Sequence, residues 1–248
     1  MIPKARRWNV ISATVITFII MIAGCAQRTS VAHQSAPGRL IVVAVRTGNA
    51  VHLDGKLDEP VWKRAPAYAL SLSADLLTQG KVLTEAGTIR VAWDDSYVYV
   101  AMEFTDSDVA TESTGDQLRQ QNLGDVGEVF LRPVGQSCYW ELHVTPNGRK
   151  SAFFFSSRGR MLPSCFTYAS GLKAAAHVEG TLNRWQDTDR GWTAELAMPI
   201  TELIKEGEVI GPDAHWTILI GRYNYSLCLE EPELSAYPRL SRTYFHLI

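Results

Sequence analysis

Two glutamates attract attention first, because each interrupts an otherwise apolar run of the sequence. Glu128 interrupts residues 126–131, and Glu141 interrupts residues 138–145. Paired carboxylates can act as acid and base in glycoside hydrolysis, which requires a defined separation between them that a sequence does not supply. A glutamate on a half-exposed strand more often simply faces solvent. Both interpretations stay open from the residues alone.

Arg222 is the third candidate, in the run Gly221-Arg222-Tyr223-Asn224-Tyr225. A guanidinium presents a planar fork of donors, which can pair with a carboxylate such as Glu128 or hold two neighbouring hydroxyls. We therefore expect Arg222 and Glu128 to lie close together if they form a binding site.

Other catalytic chemistries find little support. Gly135–Tyr139 begins like a nucleophile elbow around Ser137, but it lacks the final glycine and the strand-to-helix context. The six histidines show no metal-ligand spacing, and no C-x-x-C motif indicates a zinc or c-type haem site. We expect no catalytic residue in this chain.

The elements that position these residues are predominantly strands. Short runs of β-branched and aromatic residues alternate with Gly, Asp, Asn and Pro clusters from Leu40 onward. The predicted strands are Ile41–Val45, Thr88–Trp93, Tyr97–Thr105, Glu128–Pro133, Cys138–Thr145, Ala152–Ser156, Ala174–Glu179, Gly191–Pro199, Trp216–Tyr225 and Tyr244–Ile248. A short helix is predicted at Ile200–Lys205. About ten strands with very little helix predict an all-β, antiparallel, immunoglobulin-like β-sandwich over residues 40–248.

The N-terminal region has the features of an export signal. Three basic residues precede an apolar run that is too short for a membrane span and ends in Ile22-Ala23-Gly24-Cys25. This end resembles a bacterial lipobox, so residues 1–24 are predicted to be a signal peptide, Cys25 the lipidated residue and 25–39 a flexible tether. We expect an exported, membrane-anchored lipoprotein, on the outer rather than the inner membrane in a Gram-negative cell. A short signal peptide with an incidental cysteine is the alternative.

Charge and cysteine content limit the remaining possibilities. The formal net charge is −2, without the basic surface that nucleic-acid binding requires, so we expect no nucleic-acid partner. After export, Cys138, Cys165 and Cys228 can form one disulfide with one free thiol, or remain three buried thiols.

Five motifs occur in an order that is typical of one family. They are Leu53–Trp62, Val91–Val100, Asp125–Leu131, Tyr139–Leu142 followed by Asn147-Gly148, and Gly191–Pro199. Together they resemble the family 9 carbohydrate-binding modules found attached to xylanases, over nearly all of the predicted mature chain. The resemblance implies a β-sandwich that binds a sugar end between two aromatic side chains. It places polar sugar contacts at Glu128, Glu141 and Arg222. Alternation with aliphatic residues predicts that Trp93 and Trp192 are buried, and Trp62 is likewise expected in the core.

The resemblance also identifies where this chain departs from the family. Sugar-binding members tend to have a tryptophan just before the Asp-x-x-Glu strand, where this chain has Asn122-Leu123-Gly124. The second aromatic platform falls near the C-terminus, at Tyr237 or Phe245, although Phe245 can equally close the core. The expected function is carbohydrate binding, with a sugar or glycan presented to a glycoside hydrolase or transporter partner in polysaccharide catabolism. The alternative is an interaction lipoprotein that has lost sugar binding.

Two cofactors follow from the resemblance alone. The family often contains structural calcium, and aspartates at turns of this chain offer oxygen ligands. Acidic turns that bind no metal also explain these aspartates. The aspartates are Asp94, Asp95, Asp106, Asp108, Asp187 and Asp189. Some relatives look like haem-binding electron carriers, which makes a redox module the third hypothesis, with Met102, Met161 and Met198 as candidate ligands or, more simply, packing residues.

Overall fold

A computed structural model describes residues 41–157, 162–212, 214–237 and, for the backbone alone, 243–247. The predicted signal peptide 1–24, Cys25 and the tether 25–39 lie outside the described residues, as does Met161. None of the helices in the described ranges combines the length and the hydropathy that a membrane span requires.

Twelve strands are present in this part of the chain. They are β1 (Ile41–Arg46), β2 (Tyr68–Ala69), β3 (Gly87–Trp93), β4 (Tyr97–Thr105), β5 (Val126–Pro133), β6 (Tyr139–Val144), β7 (Lys150–Phe155), β8 (Lys173–Glu179), β9 (Gly191–Pro199), β10 (Trp216–Asn224), β11 (Glu233–Tyr237) and β12 (Thr243–Leu247). Each of the ten predicted strands overlaps one of these, whereas β2 and β11 were not predicted.

The helices are short and connect the strands. They are α1 (Pro60–Arg64), α2 (Ala74–Thr78), α3 (Pro163–Phe166) and α4 (Ile200–Leu203). Only α4 was predicted, and all four helices span only four or five residues. A 3-10 turn at Gln120–Asn122 leads into β5.

Hydrogen bonding joins the strands in the order β7-β6-β5-β10-β12-β1-β3-β4-β9-β8, with β11 beside β10 and β2 beside β3. The pairing is antiparallel except for β1, which is parallel to both β3 and β12. The predicted antiparallel arrangement therefore fails at β1 alone, and the all-β sandwich is confirmed. The layer β7-β6-β5-β10 packs on the layer β3-β4-β9-β8 through a shared apolar core.

Close approach of the two layers explains one residue of the Asp125–Leu131 motif. A Cβ atom on Gly127 would lie 2.3 Å from Sδ of Met102 in the opposite layer, so a larger residue at this position would require the Met102 side chain to shift. Met102 and Met198 are both core residues, which gives each a packing role. Trp62, Trp93 and Trp192 are buried, as predicted.

The Leu53–Trp62 motif is anchored to the Gly191–Pro199 motif by one buried carboxylate. Glu195 accepts hydrogen bonds from the backbone N–H of Asp54 (3.1 Å) and Gly55 (3.0 Å) and from Nε1 of Trp62 (2.8 Å). Gly55 has a φ of +81° and approaches β8 so closely that a Cβ would lie 2.4 Å from the carbonyl carbon of Ala176. The presence of Gly55 and Trp62 in the motif is thus explained by the structure.

Neither of the two cysteine arrangements that the sequence left open is found. Cys138, Cys165 and Cys228 are all free thiols, and Cys228 is exposed, so the alternative of three buried thiols is also wrong.

Candidate functional site

The outward face of the β5-β6 pair gathers the two predicted glutamates. Glu128 on β5 is opposite His143 on β6, and Phe130 is opposite Glu141. Because opposite residues of antiparallel strands share a face and side chains alternate along each strand, Glu128, Glu141 and His143 all lie on one face. Their neighbours Val129 and Leu142 point into the core.

His143 holds the two carboxylates together. Its Nε2 lies 3.2 Å from Oε1 of Glu128 and 3.0 Å from Oε1 of Glu141. The imidazole is fully buried, Glu128 is only 5% exposed, and Glu141 is partly exposed. Burial raises the pKa of Glu128 to about 7; nearby His143 opposes this rise and the Glu141 carboxylate adds to it.

These three residues form the one cluster of potential metal ligands in the described part of the chain. A metal on Nε2 would require Nδ1 to carry a proton, and Nδ1 is buried with no hydrogen-bond partner among the described residues. Histidines that ligate metals almost always donate this second N–H to a neighbour. The arrangement fits an Nε2–H placed between two carboxylates better than it fits a metal.

Aromatic side chains border the exposed edge of Glu141. Phe153 on β7 is opposite Glu141, and its ring centroid lies 5.6 Å from that of Phe166 in α3. Tyr139 stacks on Phe155 with a centroid separation of 4.7 Å and an interplanar angle of 10°. The Glu141 groove, of about 280 Å³, is lined by these side chains together with Arg119 and Gln121.

The Glu141 groove combines three kinds of contact in one place. The partly exposed rings of Tyr139 and Phe166 offer apolar surface. Glu141 is an acceptor for hydroxyl groups, and Arg119 and Gln121 add donors. A ligand with apolar C–H faces and a rim of hydroxyl groups satisfies all three. Glu128 does not line the groove; it lies behind Glu141, with His143 in contact with both carboxylates.

Arg222 lies on the other side of the sheet from Glu128. In the β5-β10 register Gly221 is opposite Glu128, so Arg222 points into the interior, where it is 1% exposed. Its guanidinium donates to Oδ2 of Asp106 at 2.7 Å and to the carbonyl of Thr105 at 2.8 Å. The expected pairing with Glu128 is wrong, and the buried partner that the sequence did not reveal is Asp106.

Tyr237, one of the two predicted platforms near the C-terminus, does not line the Glu141 groove. Tyr237 is opposite Ile220, a core residue, and its ring lies 5.0 Å from that of Tyr68. Phe245 belongs to β12, but its side chain lies outside the described residues. Asn122, at the position of the missing tryptophan, is exposed.

The six aspartates considered for calcium are already engaged. Asp94 accepts from the backbone N–H of Ser96 and Tyr97, and Asp95 pairs with Arg46. The others bind Arg222, backbone N–H groups or a neighbouring arginine; they are Asp106, Asp108, Asp187 and Asp189. None of them belongs to the ligand cluster found in the described part of the chain. Turn and loop stabilisation accounts for them.

Sequence reasoning missed His143, Phe153, Phe166 and Arg119. The alternation Tyr139, Glu141, His143 on one strand was a usable signal, because residues two apart share a face. Phe166 and Arg119 approach through helix α3 and the loop before β5, which no local pattern predicts.

Comparison with known proteins defines the class. A model described as carbohydrate family 9 binding domain-like matches residues 53–216, and the chain belongs to that family. No curated protein gives a significant sequence match.

Solved structures share the fold at low sequence identity. A candidate carbohydrate-binding protein from Bacteroides uniformis has a TM-score of 0.60 at 11% identity, covering 85% of this chain and 100% of its own. A family 9 module from Caldicellulosiruptor kristjanssonii in complex with cellotriose has a TM-score of 0.53 at 12% identity, covering 84% and 93%. The complex with glucose gives 0.54 at 10% identity, covering 84% and 95%.

Proposed function

We propose that the chain binds neutral carbohydrate in the Glu141 groove. The observation that carries the proposal is the pair of carboxylates held by His143 beside exposed aromatic surface. Family membership supports it, as do the cellotriose and glucose complexes of the Caldicellulosiruptor module. In this proposal Glu141 accepts hydrogen bonds from sugar hydroxyls, and Glu128 is a positioning residue that acts through His143.

The carboxylate geometry favours binding over hydrolysis. A glycosidase places its acid and its base or nucleophile on either side of the scissile bond. Here both carboxylates lie side by side, bound to the same imidazole nitrogen. A sugar in the groove would meet Glu141 with Glu128 behind it. We propose a binding module whose connection to xylan-type hydrolysis is through partner enzymes.

Calorimetric titration of the chain with cellotriose and glucose tests the proposal. Glu141→Gln keeps the shape of the side chain and removes its charge, and we expect about tenfold weaker binding because hydrogen bonds to charged groups are the stronger ones. Glu128→Gln should weaken binding only a few-fold. The matched control is Glu179→Gln, an exposed glutamate on strand β8, which should leave affinity unchanged. Absence of saturable binding by the folded wild-type chain favours the interaction lipoprotein instead.

We also propose that the module is anchored by lipid at Cys25 and presents its ligand outside the cytoplasm to a hydrolase or transporter. The lipobox-like Ile22-Ala23-Gly24-Cys25 supports this. Expression in a Gram-negative cell with a clickable palmitate should label the wild-type chain and not Cys25→Ala. Labelled protein should fractionate with the outer membrane. Labelling that is unchanged in Cys25→Ala contradicts the proposal.

A further inference from the structure

Strand pairing brings two carboxylates to a single nitrogen of His143. Its Nε2 lies 3.0 Å from Oε1 of Glu141 and 3.2 Å from Oε1 of Glu128. A ring nitrogen carries at most one hydrogen, so it cannot donate a well-aligned hydrogen bond to both carboxylates at once. One of the two carboxylates therefore has to share this donor or forgo it.

The two carboxylates differ in how they can compensate. Glu128 is 5% exposed, and within the described part of the chain His143 is its one polar partner. Glu141 is partly exposed and lines the Glu141 groove, so water or a ligand can reach it. An ionised Glu128 is the costlier of the two, because a buried charge without a donor of its own is expensive. Protonation of Glu128 removes this cost and leaves the imidazole N–H to Glu141.

The neighbouring strands place no permanent charge beside Glu128. On β10, Tyr223 lies near Glu128 on the same face of the sheet, and Tyr225 follows it. Burial raises the pKa of both phenols, so they stay neutral near pH 7. On β7, the residue opposite His143 is Ser151, which does not titrate.

The charges that act on Glu128 are therefore those of its own cluster. Burial raises the pKa of Glu128 to about 7; His143 opposes this rise and the Glu141 carboxylate adds to it. Arg119, which also lines the groove, lies over the Phe166 ring, 5.0 Å from its centroid. Glu128 thus changes its protonation state near neutral pH, in contact with the imidazole that holds Glu141.

A bound sugar would act on this proton through Glu141. It would cover the open edge of Glu141 and remove water that screens the two carboxylates from each other, so their repulsion would grow. Protonated Glu128 relieves that repulsion and lets His143 hold Glu141 in one orientation, ready to accept from hydroxyl groups. Sugar binding and protonation of Glu128 therefore favour each other, and such coupling is reciprocal.

From these contacts we infer that Glu128 is a proton switch for the Glu141 groove: the protonated acid gives the binding form, and loss of its proton weakens sugar binding. The inference rests on the proposed function for the ligand. It adds regulation by pH, with an affinity that falls as the pH rises through neutrality. A pair of ordinary exposed carboxylates would already be ionised there and would show no such fall.

Calorimetric titration of the chain with cellotriose at pH 6 and at pH 8 tests the switch. Wild-type affinity should fall about fivefold from the lower to the higher pH. Glu128→Gln keeps the shape of the protonated acid and cannot ionise, so its affinity should stay within about twofold over the same interval. The control is Glu195→Gln, which removes another glutamate with a pKa of about 7, on β9 in the opposite layer. It should keep the wild-type fall.

Proton uptake on binding gives an independent measurement. Titration of the wild-type chain with cellotriose at pH 7 in phosphate and in Tris, two buffers with different ionisation enthalpies, should show uptake of about 0.4 protons for each cellotriose bound. Glu128→Gln should show none. The wild-type result decides the question even if Glu128→Gln fails to fold.

The outcomes separate the switch from the proposed function. If wild-type affinity is equal at both pH values or higher at pH 8, the switch is wrong, and the Glu141 groove stands as long as Glu141→Gln weakens binding. A wild-type fall that persists in Glu128→Gln also overturns the switch. Absence of binding by the folded wild-type chain at both pH values overturns both proposals. Thermal unfolding of each variant at each pH confirms that the comparison involves folded protein.

Discussion

Two buried glutamates on strands of opposite layers look alike in the sequence and differ completely in their surroundings. Glu195 on β9 and Glu128 on β5 each interrupt an apolar run. Burial raises the pKa of both to about 7. Three N–H donors surround Glu195, whereas Glu128 faces one shared imidazole and a second carboxylate.

The difference teaches how to distinguish a structural carboxylate from a functional one. Glu195 joins the Leu53–Trp62 motif to β9, and its donors leave it no capacity for a ligand. The cluster of Glu128, His143 and Glu141 has fewer donors than acceptors and opens on a groove through Glu141. An excess of acceptors beside aromatic surface is costly for folding alone, and a ligand with hydroxyl donors would satisfy it.

The largest expected effect is on Glu195. Glu195→Ala leaves the N–H groups of Asp54, Gly55 and Trp62 without an acceptor, and each loss costs about 1–3 kcal/mol. We expect the free energy of unfolding to fall by about 3–5 kcal/mol, measured by urea denaturation. Glu179→Ala on the exposed face of β8 is the control and should stay within about 0.5 kcal/mol of wild type. A loss below about 1 kcal/mol for Glu195→Ala would show that the anchor is dispensable.

The pH dependence of stability should reflect both glutamates. Their folded pKa of about 7 lies above the ordinary value of 4.5, so the folded state retains protons that the unfolded state releases. Stability from this source is complete below pH 4.5, declines as pH rises to 7 and is constant above that. We expect the free energy of unfolding from urea denaturation to decline by about 3–6 kcal/mol between pH 4.5 and 7.5, because one pKa unit corresponds to about 1.4 kcal/mol for each group.

Glu128→Gln should reduce this decline by removing one titrating group, and Glu179→Gln should not change it. A stability that rises over the same pH interval would contradict the raised pKa values.

The smallest expected effect is the stability change of Glu141→Gln. Replacing one of two neighbouring carboxylates removes their repulsion while keeping an acceptor for His143, so unfolding free energy should change by less than about 1 kcal/mol. The tenfold loss of affinity predicted above would then occur without a loss of stability. A destabilisation comparable to that of Glu195→Ala would place Glu141 among the structural carboxylates and remove the contrast.

The sequence predicted the strands of the fold better than its connections. The ten predicted strands show alternating or apolar runs. Tyr68–Ala69 is too short for a period, and Glu233–Tyr237 forms beside β10 without an apolar pattern. The parallel pairing of β1 could not be predicted from the sequence either, because local composition does not specify which strands become neighbours.

The sequence predicted residues of the site only where the signal lies within a single strand. Glu128 and Glu141 were identified because each departs from its own strand's pattern. Arg222 was misplaced because the register between β10 and β5 decides which side of the sheet it occupies, and that register sets Gly221 opposite Glu128. His143 and Phe166 were recognised as part of the site only from the structure, because strand pairing and helix α3 bring them to Glu141.

A crystal structure of the chain with cellotriose tests the central claim most directly. We predict a sugar hydroxyl within hydrogen-bond distance of the Glu141 carboxylate, and a sugar ring against Tyr139 or Phe166. A cellotriose molecule bound elsewhere on the chain, with the Glu141 groove holding only solvent, would contradict the account.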